Sequence, residues 1–203
     1  VGLGLIGGSY AKALSDEGYF VGAIDKKKSS VEYALKNGLI QVGETSVKKD
    51  FIKDFDLIVF ALYPHDFINW IKEYQSSIKS GALITDVTGV KSFVVENVQK
   101  ILRGDLEFVG AHPMAGKEVS GVENADSKIF VGANYIVTPT KKNTDENVQA
   151  VKDLGRALGF ERISSLSPEE HDETVGFLSH LTHCIAVSLM VSKKSHHLAE
   201  YTG

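Results

Sequence analysis

His112-Pro113-Met114-Ala115-Gly116-Lys117-Glu118 follows the apolar run Phe108-Val109-Gly110-Ala111, which places an imidazole where a buried strand should end. Pro113 stiffens the backbone and Gly116 frees it again, so the chain is re-aimed with a carboxylate, Glu118, six residues after the histidine. A second motif, Gly2-x-Gly4-x-x-Gly7-Gly8, opens the chain. Glycines at this spacing let backbone N–H groups approach a pyrophosphate at a helix N-terminus. An imidazole facing a bound dinucleotide suits a redox enzyme that must handle a proton at its hydride site.

The surroundings of the glycines strengthen that expectation. Ser9-Tyr10-Ala11-Lys12-Ala13-Leu14 starts an amphipathic helix, and Phe20-Val21-Gly22-Ala23-Ile24-Asp25 is an apolar run ending in an acid. Asp25 stands about 20 residues after the glycines, where a ribose-binding carboxylate belongs. Gly2, Gly4, Leu5, Ile6, Gly7 and Asp25 are therefore the expected cofactor contacts. Asp25 favours NAD, because it would accept from a 2′-hydroxyl and repel a 2′-phosphate. Lys26-Lys27-Lys28 keeps NADP open. Leu62 ends a later strand-like run and Tyr63 and Pro64 follow it; these are expected at the nicotinamide ribose, although Pro64 also suits a helix start.

Strand-like runs recur at 57–62, 82–87, 108–111, 135–137 and 162–163, with helical patterns at 31–37, 67–78, 93–102 and 146–158 between them. Continuous apolar strands alternating with helices predict an α/β fold, a Rossmann-type doubly wound and mainly parallel sheet. The rhythm changes at Ser167-Pro168-Glu169-Glu170, a helix-start signal, and only helix follows. The expected division is a dinucleotide-binding domain over 1–167 and the start of an all-α helical domain over 168–203. Both ends read as cut, so the sequence is expected to be most of a longer protein.

Of 203 residues, 43% are hydrophobic and 24% charged, the profile of a globular chain that buries a core. Net charge is −4 without a long basic stretch, which argues against nucleic acid. One cysteine, Cys184, excludes an internal disulfide, and with no signal peptide expected the chain reads as cytoplasmic. The apolar stretch 177–191 contains His180, His183 and hydroxyls; it reads as too short and too polar for a membrane span and as a buried helix. His180 and His183 share a helix face, with Cys184 off it, and no ligand set for a metal is complete. His171-Asp172 near a helix start reads as structural, the acid suiting the helix dipole. Trp70 reads as core and His196-His197 as solvated.

Three segments occur in order: 2–9 (GLGLIGGS), 112–121 (HPMAGKEVSG) and 179–183 (SHLTH). Together they resemble the prephenate dehydrogenase family, which includes arogenate and cyclohexadienyl dehydrogenases. The resemblance covers essentially the whole chain. It implies NAD(P)-dependent oxidative decarboxylation of prephenate to 4-hydroxyphenylpyruvate, or of arogenate to tyrosine, in tyrosine biosynthesis. It also implies a homodimer formed through the helical domain. His112 matches the catalytic histidine that bonds the substrate's ring hydroxyl. Glu118 matches an acid at the pocket mouth. Ser179, His180 and His183 match a pocket-lining segment. Family members often carry a catalytic Ser directly before a Val-Lys pair; this chain has Gly89 there and Thr88 one place earlier, so Thr88 is the candidate hydroxyl. The family also places a substrate-binding Arg after residue 203, and Arg103, Arg156 and Arg162 fall outside the matched motifs.

Arogenate dehydrogenase remains open as an alternative, as does a non-catalytic dinucleotide-binding sensor. A β-hydroxy-acid dehydrogenase would rely on a lysine in the helical domain, where Lys193 and Lys194 fall late.

Overall fold

A computed structural model describes residues 1–192. Lys193, Lys194, His196 and His197 lie outside the described residues. The strands are β1 (Gly22–Ile24), β2 (Val42–Glu44), β3 (Leu57–Phe60), β4 (Leu83–Asp86), β5 (Glu107–Phe108), β6 (Gly110–Pro113), β7 (Asn134–Thr138) and β8 (Arg162–Ser165). The α-helices are α1 (Leu5–Asp16), α2 (Lys28–Lys36), α3 (Lys49–Ile52), α4 (Pro64–Tyr74), α5 (Ser92–Ile101), α6 (Asp145–Ala157), α7 (Pro168–Val175) and α8 (Leu181–Val191).

β1 pairs with β2, β3 with β4, and β4 with β5, all parallel. Residues 1–3 run between β1 and β3: Gly2 N–H donates to Ile24 at 2.8 Å, and Ala61 N–H donates to Val1 at 2.8 Å. Val109 N–H donates to Ile84 at 3.0 Å, carrying the line of β5 into β6. β6 pairs antiparallel with β7, setting His112 opposite Ile136, and β7 pairs parallel with β8. The order is therefore β2, β1, residues 1–3, β3, β4, β5 with β6, β7, β8. Winding reverses between residues 1–3 and β3, and in such a sheet ligands bind at the strands' C-terminal ends beside that reversal.

Helices cover both faces. On one, α4 buries Phe67, Ile68, Trp70 and Ile71, a helical stripe. Phe67 stacks on Phe60 at 4.3 Å between ring centroids and meets Phe108 edge-on at 5.4 Å. On the other face Tyr10 of α1 and Val151 and Leu154 of α6 pack with Phe130, Tyr135 and Phe160. Each such side chain, fully buried, contributes about 1.5–3 kcal/mol.

The chain after Ser167 is one continuous helix of 24 residues, Pro168–Val191. Ser167 Oγ accepts from Glu170 N–H at 3.1 Å while the Glu170 carboxylate accepts from Ser167 N–H at 2.8 Å, the reciprocal cap expected from the sequence. Between α7 and α8, Gly176–His180 forms a wider π-helical turn without breaking the rod. α7 buries Pro168, His171 and Val175 on one side.

Two expectations about this segment are corrected. The helix is long and apolar enough, by length and composition alone, to cross a membrane. Nor is its apolar part buried: Phe177 is 68% exposed, Ile185 59% and Leu189 61%. Periodicity reports that a helix is apolar, not whether its own chain covers it.

Candidate active site

Gly2, Gly4, Leu5, Ile6 and Gly7 form the turn from the first extended segment into α1. Gly2 has φ +93°, and a Cβ there would run into the Ala61 carbonyl. Gly4 differs, because a Cβ on it would meet nothing within 4 Å. Gly4 also begins α1 without any side-chain cap. A helix N-terminus with uncapped N–H groups beside bare backbone fits a diphosphate. Asp25 accepts from Leu3 N–H at 2.7 Å and from Lys27 N–H at 2.8 Å, tying the glycine loop to the end of β1. Each oxygen retains a second lone pair for a ribose hydroxyl. Lys26, Lys27 and Lys28 are exposed. Leu62, Tyr63 and Pro64 follow β3 at the same end of the sheet; Tyr63 is 81% exposed, and Pro64 also starts α4. The residues present thus fit a dinucleotide.

His112 lies on β6, one residue past Ala111, whose N–H donates to Asp86 at 3.0 Å. β6 therefore carries His112 past the last residue of β4 to the ligand-binding end of the sheet. A Cβ on Gly89 would stand 3.6 Å from Cε1 and Nε2 of His112, so position 89 abuts the ring. Beneath it, the fully buried Lys91 donates to Asp86 at 2.6 Å, to Thr88 Oγ1 at 3.1 Å and to the Ala111 carbonyl. Burial pulls the Lys91 ammonium down from its ordinary value, and Asp86 opposes that.

Thr88 is not aimed at the histidine. Its hydroxyl bonds Asp86 and the Val90 carbonyl and accepts from Lys91, so it braces the ion pair.

The His112 ring is held from the other side by α7. His112 Nδ1 lies 2.8 Å from His171 Nε2, and His171 Nδ1 lies 2.8 Å from Asp172 Oδ1. Asp172 also accepts from the N–H groups of Lys91 at 2.7 Å and Ser92 at 2.8 Å, capping α5. The structural role expected of His171-Asp172 takes a different form from a dipole contact: Asp172 caps a helix other than its own, and His171 bonds the site histidine. Burial disfavours the Asp172 charge, but the Lys91 N–H, the His171 ring and Ser92 outweigh it and hold the carboxyl below its ordinary value. Burial pulls His171 down against its bond to Asp172. Burial, with the charges of Lys91, His171 and His180, pulls His112 down to about 3. His112 is thus neutral at neutral pH.

His180, in the π-helical turn, is close enough for its charge to act on His112. Ser179 and His183 share a shallow exposed depression with His180; Cys184 lines it too, rather than lying off that face. Among the described residues neither Ser179 nor His183 has a polar contact with His112. Glu118 is exposed on the loop after β6, where Lys117 is the residue that pairs, with Asp126 at 3.1 Å. Arg103 is bound to Asp105 and Arg156 to Asp153, away from the site. No group of three metal-ligating side chains occurs among the described residues.

Comparison with known proteins bears on this geometry. The model of the prephenate dehydrogenase nucleotide-binding domain matches residues 10–163, and that of the prephenate dehydrogenase dimerization domain matches 167–202. The chain belongs to the prephenate dehydrogenase family. It is 35% identical over 199 residues to prephenate dehydrogenase of Bacillus subtilis, covering 97% of this chain and 53% of that protein. It is 27% identical over 194 residues to cyclohexadienyl dehydrogenase of Zymomonas mobilis, covering 94% and 64%. The crystal structure of Aquifex aeolicus prephenate dehydrogenase with hydroxyphenyl propionate and NAD+ superposes with a TM-score of 0.84 at 32% identity, covering 93% of this chain and 66% of that one. The chain spans about half the length of the Bacillus relative. Its fold is the expected Rossmann-type α/β domain followed by a helical region.

Proposed function

We propose that the full-length protein is an NAD-dependent dehydrogenase that oxidatively decarboxylates prephenate, with His112 as acceptor for the ring hydroxyl. The observation that carries this is the neutral His112 ring at the ligand-binding end of the sheet. It is backed by a buried ion pair, and the backbone at Gly89 lies against its Cε1–Nε2 edge. Family membership supports the reaction class, and the NAD+ in the Aquifex structure supports the cofactor. Residues 1–167 would hold the nucleotide, and 168–203 would begin the substrate and dimer domain.

Bound NAD would take the hydride from the hydroxyl-bearing ring carbon. The chain's task is the proton. As the C–O–H becomes a carbonyl, its proton passes to His112 Nε2. The C–C bond to the ring carboxylate breaks and CO₂ leaves; the electron pair passes through the ring to the carbonyl oxygen, which takes the proton back from His112 as the ring becomes aromatic. The His171–Asp172 pair would stabilise the imidazolium formed. His180 would sit at the edge of the substrate space, with Ser179, His183 and Glu118 brought to it by the remainder of the protein. The exposed apolar side of α8 is where we place the homodimer contact, as the dimerization-domain match supports. A cytoplasmic setting agrees with the free, exposed Cys184.

Reduced-cofactor absorbance with prephenate and NAD tests the proposal, with arogenate and NADP in parallel. Turnover with prephenate and NAD is expected. Turnover with arogenate alone would retain the chemistry and change the substrate; NAD binding without reduction of either would make the chain a sensor. His112→Asn should lower kcat by about 10²–10⁴ and leave NAD affinity in place; retention within a few-fold would remove His112 as the base.

A further inference from the structure

We propose that His171 and Asp172 are positioning residues that fix the tautomer of His112, presenting its Nε2 to the substrate as a bare acceptor. The proposal deepens the function above and rests on His112 being the acceptor. It follows from counting protons outward from Asp172. An ionised carboxylate only accepts, and Asp172 already accepts from the Lys91 and Ser92 N–H groups. The 2.8 Å contact between Asp172 Oδ1 and His171 Nδ1 is therefore donated by the histidine. A neutral imidazole has one N–H, so His171 Nε2 is left as an acceptor. The 2.8 Å contact between His171 Nε2 and His112 Nδ1 is then donated by His112. The single proton of His112 is spent on Nδ1, and Nε2 keeps its lone pair.

The opposite tautomer would place an N–H where the hydroxyl must donate. An unrestrained neutral histidine in water favours that opposite form, so the arrangement works against the intrinsic preference. The groups facing His112 on all sides agree. Lys91 and Asp86 lie beneath it, His171 and Asp172 approach from α7, and His180 from the π-helical turn. Both rings titrate below the ordinary histidine value, so neither carries a second proton that would break the count.

The relay also joins two parts of the chain. His112 stands on the sheet, while its orienting pair stands on the helix after Ser167, and Asp172 is locked in turn by the first turn of α5.

The test is a long-range ¹H–¹⁵N spectrum of the full-length protein labelled at histidine, which reports the protonated nitrogen of each neutral ring. His112 and His171 are expected as Nδ1–H tautomers near pH 7. An Nε2–H on His112 would overturn the proposal whatever the activity. His171→Leu should release His112 toward Nε2–H and lower kcat at least about tenfold with the KM for NAD unchanged. An unchanged His112 tautomer in a folded His171→Leu protein would also overturn it. If that variant does not fold, the wild-type spectrum alone decides. Failure of the functional reading is separable: absent turnover on either substrate leaves the tautomer result standing, and an Nε2–H ring in an active enzyme removes only the relay.

Discussion

Gly2 and Gly4 are interchangeable in a motif search and different in the molecule. Gly2 is required by its own backbone, with φ +93° and the Ala61 carbonyl behind it. Gly4 has ordinary φ and open space, so only a ligand would need it bare. Gly2→Ala should therefore lower stability by about 1–3 kcal/mol. Gly4→Ala should cost under about 1 kcal/mol yet weaken nucleotide binding about tenfold or more. Thermal unfolding beside a nucleotide titration checks both, and equal behaviour of the two variants would contradict the distinction. The histidines make a pH prediction at this scale. His112 and His171 are harder to protonate folded than unfolded, where the value is about 6.5. As pH falls from about 6.5 toward 3 the unfolded chain binds more protons, so the unfolding free energy declines through that window and is fully present above it. Urea unfolding at pH 7.5 and 5 should show the drop, and His112→Asn should reduce it.

At the scale of elements, Lys91 fastens the start of α5 to β4 through Asp86 and to β6 through the Ala111 carbonyl. Lys91→Met would strand Asp86 in the interior, and a loss of about 3–5 kcal/mol in chemical denaturation is expected. Lys117→Met breaks the half-exposed pair with Asp126 and should cost less than about 1 kcal/mol. Comparable losses would mean that burial of the Lys91 pair does not matter. What the sequence revealed follows the same divide. β3, β4 and β7 were legible because each carries consecutive apolar residues that are largely buried. β2 was not, because Val42-Gly43-Glu44 is short and only half-buried; nor was α3, one turn of four residues. The glycine loop and His112 were legible because their chemistry is local. The His171 partner was not, since it lies 59 positions away and only folding brings the rings together. Thr88 stood one place from a familiar serine, but the buried pair below it claims its hydroxyl.

For the whole molecule, the exposed apolar residues of α8 are the surface that calls for a partner. Leu181, Ile185 and Leu189 recur every four residues and are left uncovered by the described residues. Replacing Ile185 and Leu189 by Glu should convert a full-length dimer to monomers in sedimentation, with NAD binding by the sheet retained. A dimer that survived would place its interface elsewhere. The π-helical turn at Gly176–His180 adds a mechanical consequence. A wider turn delays the winding of the chain, so α8 does not continue the line of residues that α7 buries. The two helices form one rod, with no loop to absorb torsion between them. A partner that gripped the far end would hold the angular setting of the near end, and with it the compass bearing of the ring that meets His112.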